Sequence, residues 1–217
     1  MSLLRKIPTI LGAGGGSVPE WRQHLQPCEY LETDGNCFIT IPFKPPFDNF
    51  EIKLEKNSIV GGLFGARNGT NSKYYLLSNN NGFSFEQGNT SKSIVTNENK
   101  VIFKQIGNNL SLLDFGNNVI KNWTYNLPTI NYYLVLFGVN LNPPATNQNG
   151  LKIWYSKCEF FNLYSCYVKS GQTFTDNKGN LCGSGVAGMV DTLTGIFYTN
   201  DGTGTFSHGA DIADINI

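Results

Sequence analysis

The sequence predicts an all-β fold, an antiparallel sandwich, on three grounds. Short apolar runs recur at about ten-residue spacing, each bounded by Gly or Asn, which is the rhythm of strands in a meandering sandwich or barrel. Asn occupies 27 of the 217 positions and Gly 24, a composition that feeds turns, while long runs of the helix formers Ala, Glu, Lys and Leu are missing. Phe50-Glu-Ile-Lys-Leu-Glu55 alternates without a break, so Phe50, Ile52 and Leu54 face a core and Glu51, Lys53 and Glu55 face water.

Taken from the start, Leu3, Leu4, Ile7, Ile10 and Leu11 surround Arg5, Lys6 and Pro8, and a Gly12–Ser17 linker follows. Pro8 and Gly12 interrupt the apolar stretch, so it reads neither as a secretory signal nor as a bilayer span. The expectation is an apolar, basic arm that docks on a partner through Leu3, Leu4, Arg5, Lys6, Ile7, Ile10 and Leu11. Val18–Gln26 reads as one or two helical turns, with Trp21 and Leu25 four apart after Pro19-Glu20. The chain divides into an arm and linker (1–27), a sandwich (28–209) and a tail (210–217).

The sheet is expected to begin at Cys28, with Asp34-Gly35 turning a hairpin between Cys28–Thr33 and Asn36–Ile41. That register sets Cys37 against Glu32 and Cys28 against Ile41, so the two thiols are not partners. Five cysteines with no Cys-x-x-Cys pair argue against a disulfide framework and fit free thiols in a reducing cytoplasm. After Phe50–Glu55, strands are expected at Leu63-Phe64, Tyr74–Leu77, Phe83–Glu86, Val101–Ile106, Leu110–Phe115 and Val119–Tyr125. Tyr132–Val139 is apolar on both faces and reads as a central strand, Asn140–Gly150 as an exposed loop, and Leu151–Phe161 as a strand. Val186–Val190 and Ile196–Tyr198 follow, with tight turns at Asp191–Gly195 and Asp201–Gly204. Ala210–Ile217 reads as a frayed end, with strand addition to a neighbour as the alternative.

The closing run Gly188-Met-Val-Asp-Thr-Leu-Thr-Gly-Ile-Phe-Tyr-Thr-Asn-Asp-Gly-Thr-Gly-Thr-Phe206 resembles the final hairpin of concanavalin-like (laminin-G-like) modules in gut-bacteriophage virion proteins and some gut-bacterial surface proteins. Glu29–Thr33 with Phe38–Ile41, Leu63–Arg67 and Leu151–Tyr155 fit the same pattern in order, so the resemblance spans about Cys28 to Gly209. Leu163–Ser170 departs from it, lacking an Arg-Asp and a Pro. The resemblance implies a concanavalin-like, jelly-roll-type antiparallel sandwich with an extended N-terminal arm. It also implies a non-enzymatic head-fibre or decoration protein of a virion, assembled in the host cytoplasm, binding capsid or other virion proteins through its arm and needing no cofactor. Sandwich edges and an apolar arm invite self-pairing, so a dimer or trimer is expected. Host-surface glycans are a second expected partner, and a glycan-binding receptor module is the alternative reading.

Sixteen basic and sixteen acidic residues balance, so no general field draws the chain toward nucleic acid. The nearest thing to a glycosidase pair is Glu51 and Glu55, roughly 13 Å apart along a strand, whereas cooperating carboxylates stand about 5 to 9.5 Å apart. His24 and His208 lie in no nucleophile motif, Gly183-Ser-Gly185 reads as a turn, and the cysteine and histidine spacing suits no zinc site. Asp201 reads as a turn residue rather than a calcium ligand. The four Asn-x-Ser/Thr triplets, at Asn68, Asn89, Asn109 and Asn122, are what so Asn-rich a chain makes by chance. Trp123, Tyr125, Trp154 and Tyr155, with Tyr74 and Tyr75, are the candidate platforms for pyranose rings. In adjacent pairs the strand pleat is expected to send the two rings to opposite faces.

Overall fold

The computed structural model describes residues 18–57, 61–68, 72–88, 90–126, 130–139 and 149–215. The arm residues Leu3, Leu4, Arg5, Lys6, Ile7, Ile10 and Leu11 lie outside them, as does the expected 140–150 loop as far as residue 148. In chain order the elements are α1 (Glu20–His24), β1 (Leu25–Pro27), β2 (Leu31–Asp34), β3 (Ile39–Ile41), β4 (Asn49–Glu55), β5 (Gly61–Asn68), β6 (Ser72–Asn79), β7 (Gly82–Gln87), β8 (Thr90–Val95), β9 (Lys100–Ile106) and β10 (Asn109–Asp114). There follow β11 (Val119–Thr124), β12 (Leu134–Leu136), β13 (Asn149–Cys158), β14 (Asn162–Val168), β15 (Phe174–Thr175), β16 (Leu181–Cys182), β17 (Ala187–Asp191), β18 (Phe197–Thr199) and β19 (Ser207–His208).

Two antiparallel sheets face each other. The larger, of eleven strands, runs β11-β10-β9-β4-β13-β14-β17-β18 with β1, β2 and β19 joined to its flanks, and the smaller runs β3-β12-β5-β6-β7-β8. The alternation read at Phe50–Glu55 holds: Phe50, Ile52 and Leu54 are buried and the charged residues between them are half-buried. Between the sheets the core is aromatic. Phe50 and Phe103 of the larger sheet meet Phe64 of the smaller at 5.3 and 5.2 Å, and Phe85 lies on Phe103 at 5.1 Å. A buried Gln105 is tolerated because both ends of its amide are used, accepting from the Tyr74 hydroxyl and donating to the Phe47 carbonyl.

The sheet starts three residues before Cys28, at Leu25, and the hairpin expected over Asp34-Gly35 does not form. β2 pairs with β13 and β19 in the larger sheet, whereas β3 pairs with β12 in the smaller. The turn is real, with Gly35 at φ +94° and the Asn36 N–H donated to Asp34 Oδ1. It carries the chain from one sheet to the other, so Cys37 does not oppose Glu32. All five cysteines are free thiols.

The segment before that crossover drives a wedge into the larger sheet. β13 pairs with β14 through Tyr155–Lys157 but with β2 through Asn149–Ile153, while β14 passes from β13 to β1 at Cys166. Residues 25–34 thus lie in the fork where β13 and β14 part. Ser165, buried at the fork, accepts the Leu31 N–H at 3.1 Å and donates its own proton to the Ile153 carbonyl at 2.8 Å. Where β13 changes neighbours it carries a bulge against β4: Ile153 opposes Leu54, Tyr155 opposes Lys53, and Trp154 is the extra residue.

Three other expectations change. Tyr132–Val139 is buried from Leu134 on, but only Leu134–Leu136 is strand, because Phe137 turns to φ +64°. The edge strand β8 has one buried residue, Ile94, and so carried no apolar signal. The tail is docked rather than frayed or added to a neighbour: the Ile212 N–H is donated to the Pro27 carbonyl, Asp214 pairs with Arg22, and Ile215 is buried. Ile215 joins Trp21, Leu25, Val168, Val190 and Phe197 in a second small core outside the larger sheet.

Trp21 is the centre of that second core, so Trp21→Ala should lower the free energy of unfolding by about 3–5 kcal/mol in a urea titration. Ser165→Ala removes the hydroxyl that bonds both the Leu31 N–H and the Ile153 carbonyl, and should lower it by about 1–3 kcal/mol.

Candidate functional site

The closing motif is the first place to look for chemistry, and its polar groups are consumed by backbone. Asp191 accepts the N–H groups of Asn162 and Leu193 and the Thr194 hydroxyl, pinning the turn between β17 and β18. Asn200 accepts the Phe38 and Gly202 N–H groups and donates to the Gly204 carbonyl. Asp201 accepts the Thr40 N–H at 2.7 Å on one oxygen and the Lys178 ammonium at 3.1 Å on the other. Gly202 passes so close to the Asn36 carbonyl that a Cβ would overlap it. These residues form a clasp between the last loop and the crossover at 34–40.

Asp176 does similar work on the β15–β16 hairpin, accepting from the Lys178 and Asn180 N–H groups, the Asn180 amide and the Thr199 hydroxyl. Burial alone raises its pKa, but these bonds outweigh it and hold the carboxyl below its ordinary value.

The two carboxylates nearest to a catalytic pair each face two lysines. Glu51 lies 3.2 Å from both Lys104 and Lys157 and takes the Tyr155 hydroxyl at 2.7 Å; Glu55 lies 3.7 Å from Lys100 and 3.8 Å from Lys152. Burial pushes Glu51 up, and the Tyr155 bond with the lysines more than reverses it, so the carboxyl sits below its ordinary pKa. A general acid needs the opposite shift. His208 stacks on Tyr167 at 4.1 Å and His24 lies 5.6 Å from Phe174, both away from any nucleophile arrangement. Among the described residues no three His, Cys, Asp or Glu side chains converge on a metal position.

The aromatic candidates divide. Tyr74 is wholly buried in the main core, and Tyr75, pointing the other way as the pleat requires, is covered and donates its hydroxyl to Glu86. Tyr125 is 8% exposed, its ring 5.7 Å from Phe85 and its hydroxyl pushed up to about 12 by burial. Trp123 is half-buried against Phe85 and Phe103. Tyr74, Tyr75 and Tyr125 are too covered to present a face to a sugar. Trp154 and Tyr155 do not split between faces as the pleat would have it. The bulge puts both on the outer face of the larger sheet: Trp154 meets Tyr30 and Phe115 at 5.0 Å each, and Tyr155 meets Tyr164 at 5.9 Å.

No family model, no curated protein and no solved structure matches this chain.

Reading the sequence alone missed Tyr30 and Phe115, which meet Trp154, and Lys53 and Lys152, which lie over those two rings. Lys152 Nζ lies 4.9 Å from the Tyr30 ring centre and Lys53 Nζ 4.3 Å from that of Phe115. Alternation had placed Lys53 on the outer face, but the rings come from three distant segments and had no shared signal. A separate groove of about 640 Å³ lies beside the clasp, lined by Thr40, Tyr133, Phe174, Asn177, Ile196 and Asp201. Tyr133 is 46% exposed there.

Because the folded-state pKa of Asp176 is depressed, its stabilisation is complete above the unfolded value of about 3.9 and fades as pH falls through the folded value. Asp176→Asn should therefore cost about 1–3 kcal/mol at neutral pH. Its gap from the parent protein should narrow below about pH 4, followed by chemical denaturation across pH. Burial pushes Cys28 and Cys158 up to about 12, Cys37 up to about 11 and Cys166 well above the ordinary thiol value. A disulfide reagent at mildly alkaline pH should accordingly label the native chain slowly and all five thiols once it is unfolded.

Proposed function

We propose that this chain is a non-enzymatic structural component of a phage particle, a concanavalin-like sandwich displayed on the capsid as a short head fibre or decoration and held by its N-terminal arm. The observation that carries the reading is the clasp. The motif that links the chain to virion modules spends its carboxylates and amides on closing the fold, as a passive, rigid module requires. The tether's point of attachment suits the role as well, since Val18, the first described residue, is 58% exposed. Capsid or other virion proteins are the arm's partners in this reading, and a dimer or trimer suits the open edge of β8, which has no further strand beside it among the described residues.

The glycan-binding receptor reading is favoured by one separate observation, the outward pair Trp154 and Tyr155 with their neighbouring rings. The two roles are compatible, because a displayed module can also adhere.

Deleting residues 1–17 should leave a soluble protein with unchanged melting behaviour that no longer enters particles, scored as its ratio to the major capsid protein in purified virions. Undiminished incorporation would falsify the anchoring role.

A further inference from the structure

We infer that the outer face of the larger sheet around Trp154 is a recognition site for an acidic glycan, with Trp154, Tyr30 and Phe115 as the sugar platform and Lys53 and Lys152 as the groups that take its carboxylates. The inference deepens the glycan-binding reading and rests on it.

The arrangement is nearly symmetrical. Trp154 lies 5.0 Å from each of two rings, and each of those rings carries a lysine ammonium over it. Aromatic surface flanked by fixed positive charge suits a ligand that alternates apolar pyranose faces with anionic groups. The charge on the face is unevenly matched. Lys53, Lys100, Lys104, Lys152 and Lys157 lie with Glu32, Glu51 and Glu55 on the outward positions of β2, β4, β9 and β13. Glu51 is taken by Lys104 and Lys157, and Glu55 is shared by Lys100 and Lys152 at distances too long for strong pairing.

Lys53 has no carboxylate within 4.0 Å among the described residues and rests on Phe115 instead. Partial burial lowers its pKa, so an incoming carboxylate would restore a counter-charge that the protein does not provide. A polynucleotide fits less well: three glutamates interrupt the lysines, and the chain as a whole has no net charge.

The test is calorimetric titration of the full chain with hexagalacturonate, with maltohexaose and a single-stranded DNA oligonucleotide in parallel. The expected result is binding of the uronate that weakens severalfold between about 50 and about 300 mM salt, with maltohexaose about tenfold weaker or worse. Trp154→Ala should lose about tenfold, and Lys53→Gln and Lys152→Gln about threefold each. Should Trp154→Ala prove misfolded by its near-ultraviolet circular dichroism, the double variant Lys53→Gln/Lys152→Gln carries the decision. Equal affinity for neutral and acidic sugar, tighter binding of DNA, indifference to both lysine changes, or no heat with any probe at about 5 mM overturns the inference. The double variant should enter particles normally. Its exclusion would mean that this face is seated on the particle, which sinks the glycan site but leaves the display role standing.

Discussion

The wedge that residues 25–34 drive between β13 and β14 is the constraint from which much of the rest follows. An antiparallel pair that diverges leaves a row of backbone donors and acceptors open between its arms, and burial makes each unpaired group expensive. The N-terminal segment fills that row, and the Ser165 hydroxyl of β14 closes the vertex by bonding β13 and the wedge at once. Its consequences reach both faces. β13 has to change neighbours, the bulge at Trp154 accommodates the change, and two consecutive rings come to share the outer face. β2, once inserted, offers its own edge to β19 and so brings the end of the chain back to its beginning.

A second theme is side-chain oxygen in place of backbone partners. Asp34, Asp176, Asp191, Asn200 and Asp201 all sit where the chain reverses or crosses, and each accepts at least one N–H that no strand could reach. The acids and amides of this motif thus bond mainly to the chain's own backbone. In the proposed glycan-binding reading, recognition falls instead to the sheet face, where side chains are fixed by strands on either side and a bulge groups two consecutive rings.

Local signals were legible in the sequence, and choices of partner were not. The alternation at Phe50–Glu55, the turn at Asp191–Gly195 and the helical turn carrying Trp21 are short-range patterns, and the fold uses them as written, whereas Asp201–Gly204 is a bend whose N–H groups go to the 36–38 crossover rather than closing a hairpin. Asp34-Gly35 shows the limit: its turn chemistry is correct, but whether the next strand returns beside the last or departs to the other sheet is decided by β12 and by the clasp, more than ninety residues away. The tail is similar, since Ile215 finds its place only because Trp21 has already been laid across the sheet. At the candidate site, Trp154 and Tyr155 were visible as aromatic residues, yet their common face depended on an extra residue in β13. Tyr30 and Phe115 had no pattern of their own and became meaningful only as neighbours.

The packing of the tail across α1 has a mechanical side. A load applied at Val18 would pass first to α1 and the three-residue β1, by themselves a poor footing that would peel from β14 one bond at a time. Asp214 and Ile215 lie over that footing from the opposite end of the chain, gripping Arg22 and Trp21. Tension at the leading end is thus shared with the trailing end before it reaches the body of the sandwich, much as a knot is kept from slipping by the strand that passes over it.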